Sequence, residues 1–209
     1  MTNSEYTHIS VLVDRSGSMR PVAKDMIGGL QAFFDAQAEV DGKCLVDYAQ
    51  FDDSYDKVFE DTLVASATPT LEPRGMTALL DSLAKNINEL GTKLAAKPEA
   101  DRPSKVIVVV VTDGFENASR EQTREGISEL VKRQTDEYSW EFVFLGANMD
   151  AVAEASSLGF AKGSSLTYDT QNIGATSVGL SNYVTRSRSG VSANSFTEDE
   201  RKEAVDTSK

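Results

Sequence analysis

The sequence predicts a doubly wound α/β domain: a mostly parallel sheet with one antiparallel edge strand and helices on both faces. Three observations lead there. The runs HISVLV at 8–13 and KVIVVVVT at 105–112 are consecutively apolar and β-branched, as strands buried on both faces are. Stretches of helical period separate such runs, and strand–helix alternation calls for right-handed crossovers between parallel neighbours. With 209 residues, 40% of them hydrophobic, the chain can bury a full core.

The elements follow in order. After the strand ending at Val13 comes the turn DRSGSMRP, then an amphipathic helix from about Val22 to Glu39 on Met26, Leu30, Phe33, Phe34 and Gln37. Asp41-Gly42 ends it. Cys44–Phe51 and Tyr55–Phe59 flank the polar turn Asp52-Asp53-Ser54, which reads as a hairpin supplying the antiparallel edge. Residues 60–76 lack a period and hold Pro69 and Pro73, as a loop does. Thr77 to Ala96 is a helix with Leu79, Leu80, Leu83, Ile87, Leu90 and Leu94 on one side. Lys105–Thr112 belongs at the centre of the sheet. Arg120–Glu137 is a third helix, Trp140–Gly146 a strand, and Asp150–Leu158 a short helix with Asp150 as its N-cap. Ser165–Tyr168 forms a last edge strand and Gln171–Val184 a weakly amphipathic helix. The domain is expected to span residues 1–185. Residues 186–209 read as a flexible polar tail, in which Thr197-Glu-Asp-Glu200 opens a short frayed helix.

Charge and composition narrow the function. With 21 basic and 33 acidic residues the net charge is −12, which argues against binding nucleic acid or an anionic membrane. One cysteine excludes an intrachain disulfide, and one Cys with one His cannot build a structural zinc site. The first residues, MTNSEYTHIS, lack a signal peptide's basic start and apolar run, and no apolar stretch approaches the ~18 residues of a membrane span. The expectation is a reduced, cytoplasmic protein.

Ligands of open α/β sheets sit beyond the carboxyl ends of the strands. Asp14-Arg-Ser16-Gly-Ser18 ends the first strand, Thr112-Asp113-Gly114 ends the central one, and Arg74-Gly75-Met76-Thr77 opens a helix. Their two carboxylates with three of their hydroxyls make an all-oxygen set, suited to a hard divalent ion held octahedrally, Mg²⁺ first and Mn²⁺ next. These residues resemble the von Willebrand factor A (vWA) domain family with its metal-ion-dependent adhesion site. That family's pattern is D-x-S-x-S, a Thr in a distant loop, and an Asp after the central hydrophobic strand. It falls here on Asp14, Ser16, Ser18, Thr77 and Asp113, and the likeness covers roughly residues 6–160. Over PRGMTALLDSL, DRPSKVIVVVVTDGFENASR and WEFVFLGANMDAVAEASSLG the chain looks like stand-alone cytoplasmic vWA proteins of bacteria and their phages. One departure is Gly75-Met76-Thr77, where many members have Gly-Gly-Thr.

The resemblance implies that Ser16 and Ser18 ligate the metal directly, Thr77 directly or through water, and Asp14 and Asp113 mostly through water. Neutral hydroxyls near the ion leave it under-neutralised, so an acidic residue of a partner protein can complete its coordination. The expected function is metal-dependent protein binding without catalysis, with Arg15, Met19, Arg74, Met76, Phe115 and Asn117 as the partner-binding rim. Oligomeric state is not legible.

Competing readings attach to the same residues. Two aspartates and Mg²⁺ could also serve a phosphoesterase or phosphotransferase. Against that, there is no D-x-D pair after the first strand, no G-x-x-x-x-G-K-[ST] loop and no lysine in the three loops; only Arg15 and Arg74 favour it. Alternatively the metal is structural and function lies in the tail or on the acidic stretch from Asp35 to Asp61, where nine carboxylates face two lysines. That stretch also reads as a solvated face protecting the hairpin edge. His8, six residues from Asp14 and so ~20 Å away along a strand, reads as structural. Cys44 reads as a buried thiol, and Glu116 as an exposed acid.

Overall fold

The computed structural model describes residues 2–191 and 194–206. In chain order the elements are β1 (Asn3–Asp14), α1 (Ala23–Ala38), β2 (Lys43–Phe51), β3 (Tyr55–Leu63), α2 (Leu79–Ala95), β4 (Pro103–Thr112), α3 (Arg124–Tyr138), β5 (Glu141–Ala147), α4 (Ala151–Ser157), β6 (Ser165–Tyr168), α5 (Ile173–Arg188) and α6 (Glu198–Val205). One sheet takes the order β3-β2-β1-β4-β5-β6. β3 runs antiparallel to β2, and every other neighbouring pair is parallel. This is the mixed α/β architecture expected from the strand–helix alternation.

The order carries the functional consequence. From β1 the chain winds outward to β2 and β3, then crosses back to β4 and winds the other way. β1 and β4 are neighbours, so the loops leaving their carboxyl ends part in opposite directions and open a crevice. Asp14 ends one strand and Thr112 the other.

Alternation along the strands supplies both cores. Val11, Val13, Val109 and Val111 face α1 and α5, meeting Leu30, Phe33, Phe34, Leu180 and Val184. Leu12, Val108 and Val110 face the opposite side, where α2 and α3 bring Leu83, Ile87, Leu90, Ile127 and Val131. The central strands are therefore apolar at consecutive positions, because both of their faces are covered.

Several boundaries move for local reasons. β1 starts at Asn3, and Tyr6 is buried with the Lys43 ammonium 4.6 Å from its ring centre. β3 continues past Phe59 to Leu63 through a register shift, with Asp61 at φ +46. Thr123 caps α3 by accepting from the Gly126 N–H, so that helix begins at Arg124 instead of Arg120. α2 begins at Leu79 and leaves Thr77 in the loop.

The largest correction concerns the segment expected to be a flexible tail. α5 runs to Arg188, and α6 packs against α5 and β6. Phe196 is buried, its ring 4.8 Å from that of Tyr183, and Ala204 is fully buried. Arg186 grips Glu200 through two hydrogen bonds of 2.7 and 3.0 Å, and Arg201 donates to the Ser165 carbonyl at 2.7 Å. The Thr197–Glu200 capping box forms as the sequence suggests. Two buried apolar side chains and a bidentate ion pair thus hold 194–206 in place; residues 192–193 and 207–209 lie outside the described residues. No helix among the described residues is long and apolar enough to cross a membrane.

Candidate metal-binding site

At the carboxyl end of β1, Asp14 is fully buried and folds the following turn around itself. Its Oδ1 accepts the Ser16 N–H at 2.6 Å, and its Oδ2 accepts the Thr112 hydroxyl at 2.6 Å. The second contact locks the ends of β1 and β4 together. Ser16 and Ser18 then point the same way, their Oγ atoms 2.9 Å apart, and Ser18 donates to Asp113 Oδ1 at 2.6 Å.

Thr77 comes from a different part of the chain and is positioned by backbone stitching. The Arg15 N–H donates to the Phe51 carbonyl, Arg74 N–H to the Arg15 carbonyl, and Gly17 N–H to the Gly75 carbonyl. Gly75 sits at φ +69, and a Cβ there would come 2.5 Å from Asp53 Oδ2, so the turn needs glycine. Asn117 completes the frame: its Oδ1 accepts the Thr77 N–H at 2.9 Å, and its own N–H donates to the Thr77 carbonyl at 3.0 Å.

Gly114 marks where these groups converge. A Cβ built on it would lie 3.4 Å from Thr77 Oγ1, 3.8 Å from Ser18 Oγ and 3.9 Å from Asp14 Oδ2. Asp14, Ser16, Ser18, Thr77 and Asp113 therefore surround one small space lined by oxygen. Hard divalent cations favour such a donor set.

Its electrostatics are unbalanced. Burial pushes the Asp14 carboxyl up to about 6, against the hydrogen bonds from Thr112 and Ser16 that favour its ionised form. Burial also raises Asp113 above the ordinary carboxylate range. Among the described residues, no lysine or arginine forms an ion pair with either. The nearest guanidiniums are turned elsewhere. Arg15 donates to Asp52 at 2.9 Å and also binds Asp56; Arg74 donates to the same two carboxylates at 2.7 and 3.3 Å. Burial works against ionised Asp52, yet hydrogen bonds from Arg74, Ser54 and Arg15 outweigh it and hold the carboxyl at about 2.

The residues expected on the rim divide. Met76 and Phe115 are 52% and 59% exposed beside the opening, and Arg74 and Asn117 are also exposed. Met19 is fully buried in the core with Val13 and Val111, and so is not a rim residue: the short helical turn at Gly17–Met19 swings its side chain under the loop. Arg15, only 7% exposed, is a brace and not a rim group. Glu116 is not a free acid. It accepts from the N–H groups of Ala118, Ser119 and Leu80 and from the Ser119 hydroxyl, and so caps the start of α2. Its position three residues past Asp113 is the only sequence signal for that role. Thr112 belongs to the polar cluster that ends the central strand, but its bond to Asp14 has no sequence signal beyond its place next to Asp113.

His8 belongs to a separate buried cluster. Its Nε2 lies 3.2 Å from Asp47 Oδ1, and its Nδ1 is 3.0 Å from the Tyr6 hydroxyl and 3.9 Å from Asp61. His8, Asp47 and Asp61 have the composition of a metal site. However, Lys93 already reaches Asp47 at 2.5 Å and Asp61 at 3.2 Å, and Lys97 reaches Asp61 at 3.4 Å. With both carboxylates neutralised, the cluster acts as a brace between β1, β2, β3 and α2.

No family model matches the sequence, and no curated relative does. Solved structures do match in fold. Proximal thread matrix protein 1 from the mussel byssus superposes with a TM-score of 0.62 at 15% identity, over 88% of this chain and 48% of the mussel chain. This chain thus spans about half the length of that protein, which has also been solved with a zinc-occupied MIDAS motif. The vWF domain of the type V pili tip protein Mfa5 from Porphyromonas gingivalis matches at TM-score 0.61 and 11% identity, over 92% of this chain and 98% of that one. Manganese-loaded Plasmodium vivax TRAP protein matches at TM-score 0.56 and 14% identity, over 83% and 72%. At such identities the likeness is one of fold, and the fold is that of vWA domains.

Proposed function

We propose that this chain is a divalent-metal-dependent protein-binding domain, and that Asp14, Ser16, Ser18, Thr77 and Asp113 hold the ion, Mg²⁺ or Mn²⁺. The observation that carries the reading is the convergence of five oxygen-bearing side chains from three loops on one space, with one buried carboxylate, Asp14, and one half-buried, Asp113, neither of them ion-paired to a lysine or arginine among the described residues. A bound divalent ion supplies positive charge there and an acceptor for one further oxygen ligand. Thr112 and the Ser16 N–H fix Asp14, Ser18 fixes Asp113, and Asn117 fixes Thr77, so the donors are held before any ion arrives. Preorganisation of this kind reduces the ordering cost of binding.

The remaining ligand is an aspartate or glutamate of a partner protein. A chain of net charge −12 repels an acidic partner at long range, and the ion reverses that locally. Exposed Met76 and Phe115 provide apolar contact beside the opening. The mussel structure with zinc in its MIDAS motif and the manganese-loaded TRAP structure support a divalent ion in a domain of this fold. A cytoplasmic setting belongs to the same reading. Phosphoryl transfer is disfavoured because Arg15 and Arg74, the basic residues beside the proposed ligands that could steady a phosphate, are committed to Asp52 and Asp56.

Affinity capture with native chain and Asp14→Ala, each in Mg²⁺ and in EDTA, tests this. A protein with an essential acidic residue, retained only by native chain in Mg²⁺, is the expected result. Partner binding indifferent to both EDTA and Asp14→Ala would move the function to another surface. Turnover of a phosphate ester, abolished by Asp14→Ala, would replace binding with catalysis.

A further inference from the structure

Tyr168 ends β6, and its place in the sheet brings it to the candidate metal site. In the ladder Thr112 pairs with Gly146, and Gly146 with Thr167. One residue further on, Ala147 pairs with Tyr168, so Tyr168 ends its strand two strand spacings, or ~9.6 Å, to the side of the end of β4, where Asp113 follows Thr112 directly. Tyr168 is 1% exposed and belongs to the same core cluster as Val13 and Val111, the residues that precede Asp14 and Thr112, and as Met19 and Ala147. The backbone on either side of the ring is pinned. The Tyr168 carbonyl accepts the Asn148 N–H at 3.1 Å, and the Asp169 N–H donates to the Ala204 carbonyl at 2.8 Å, tying this strand end to α6.

The hydroxyl itself has no hydrogen-bond partner, although it is buried. A phenylalanine would fill the same space without leaving a polar group unpaired in the core, which is costly. Burial above all, and after it the charges of Asp113 and Asp14, push the pKa of this hydroxyl far above the ordinary tyrosine value. The orphan donor thus lies within the electrostatic reach of the two carboxylates assigned to the ion.

We infer that Tyr168 is a positioning residue of the metal site, whose hydroxyl donates to the Asp113–Asp14 side of the loaded site and so supports the carboxylates behind the ion. This rests on the metal-binding reading above. Groups that hold a metal's ligands in place commonly change metal affinity by 10- to 100-fold when removed, without touching the ion.

The test compares native chain with Tyr168→Phe in two measurements: the melting temperature without metal, and Mn²⁺ affinity by calorimetry. Tyr168→Phe should melt at the native temperature or above it in EDTA, because an unpaired polar group is gone, and should bind Mn²⁺ on the order of 10-fold more weakly. Tyr6→Phe is the control. It removes a hydroxyl that does have a partner, His8 at 3.0 Å, eight strand residues or ~26 Å from Asp14, and should lower the melting temperature while leaving Mn²⁺ affinity unchanged. Native Mn²⁺ affinity in Tyr168→Phe would overturn the inference and leave the hydroxyl a packing defect. A native chain that shows no saturable Mn²⁺ binding would instead bring down the metal reading, and this inference with it.

Discussion

Replacing Asp14 by asparagine gives a sharp prediction because it separates the energetics of the empty site from those of the loaded one. Asp14 is fully buried, and its carboxyl is pushed from the ordinary 3.8 up to about 6, chiefly by burial. A folded-state pKa above the unfolded value means that stability is greatest below pH 3.8 and is lost as pH rises through about 6. At pH 7.5 the ionised group therefore costs metal-free protein up to ~3 kcal/mol. The asparagine side chain carries no charge and keeps an oxygen for the Ser16 N–H, but weakens the contact with Thr112. After that loss the net gain is about 1–2 kcal/mol, or roughly 2–8 °C in Tm for a domain of this size. Melting in EDTA at pH 7.5 should show Asp14→Asn above native, with the gap closing at pH 5, where native Asp14 takes up its proton. Adding Mg²⁺ should reverse the order, because only native chain gains from binding. If Asp14→Asn melts well below native in EDTA at pH 7.5, protein hydrogen bonds already satisfy the Asp14 charge, and no divalent ion is needed to balance it.

Other substitutions test the parts around the site. Arg15→Met leaves Asp52 buried without one of its two arginines and should cost about 3 kcal/mol in chemical denaturation, the usual effect of breaking a buried pair. Met19→Ala should cost about 2–4 kcal/mol, whereas Phe115→Ser should stay within about 0.5 kcal/mol and lower partner affinity alone; equal effects on stability would contradict their opposite burial. Phe196→Ala should cost about 3 kcal/mol and speed hydrogen exchange in α6, while a neutral result would mean that the C-terminal helix adds nothing to the domain.

What can be read from the sequence is whatever is local. KVIVVVVT identifies a doubly covered strand because burial on both faces leaves no polar position, and Asp14-x-Ser16-x-Ser18 is a pattern within five residues. The direction of a side chain leaving a loop is not local. Met19 follows the ligand motif directly, yet the turn at 17–19 sends it into the core, and Arg15 meets carboxylates 37 and 41 residues further on. Glu116 looks like a surface acid until the unpaired N–H of Leu80 is placed beside it. The C-terminal segment reads as a tail because one phenylalanine, one alanine and an ion pair make too faint a pattern; their effect depends on Tyr183 and β6 being there to meet them. Tyr168 gives no signal at all, since only the strand order and register bring the end of β6 near the end of β4.

The most direct test of the central claim is calorimetric titration of Mn²⁺ and Mg²⁺ into metal-free native chain and into Ser16→Ala. Ser16 supplies a converging hydroxyl, while its N–H remains to hold Asp14, so the substitution removes a donor and leaves the loop in place. The account predicts one saturable site in the native chain, and at least about tenfold weaker binding in Ser16→Ala at unchanged metal-free stability. Equal affinity in the two proteins, or no saturable binding in either, would contradict it.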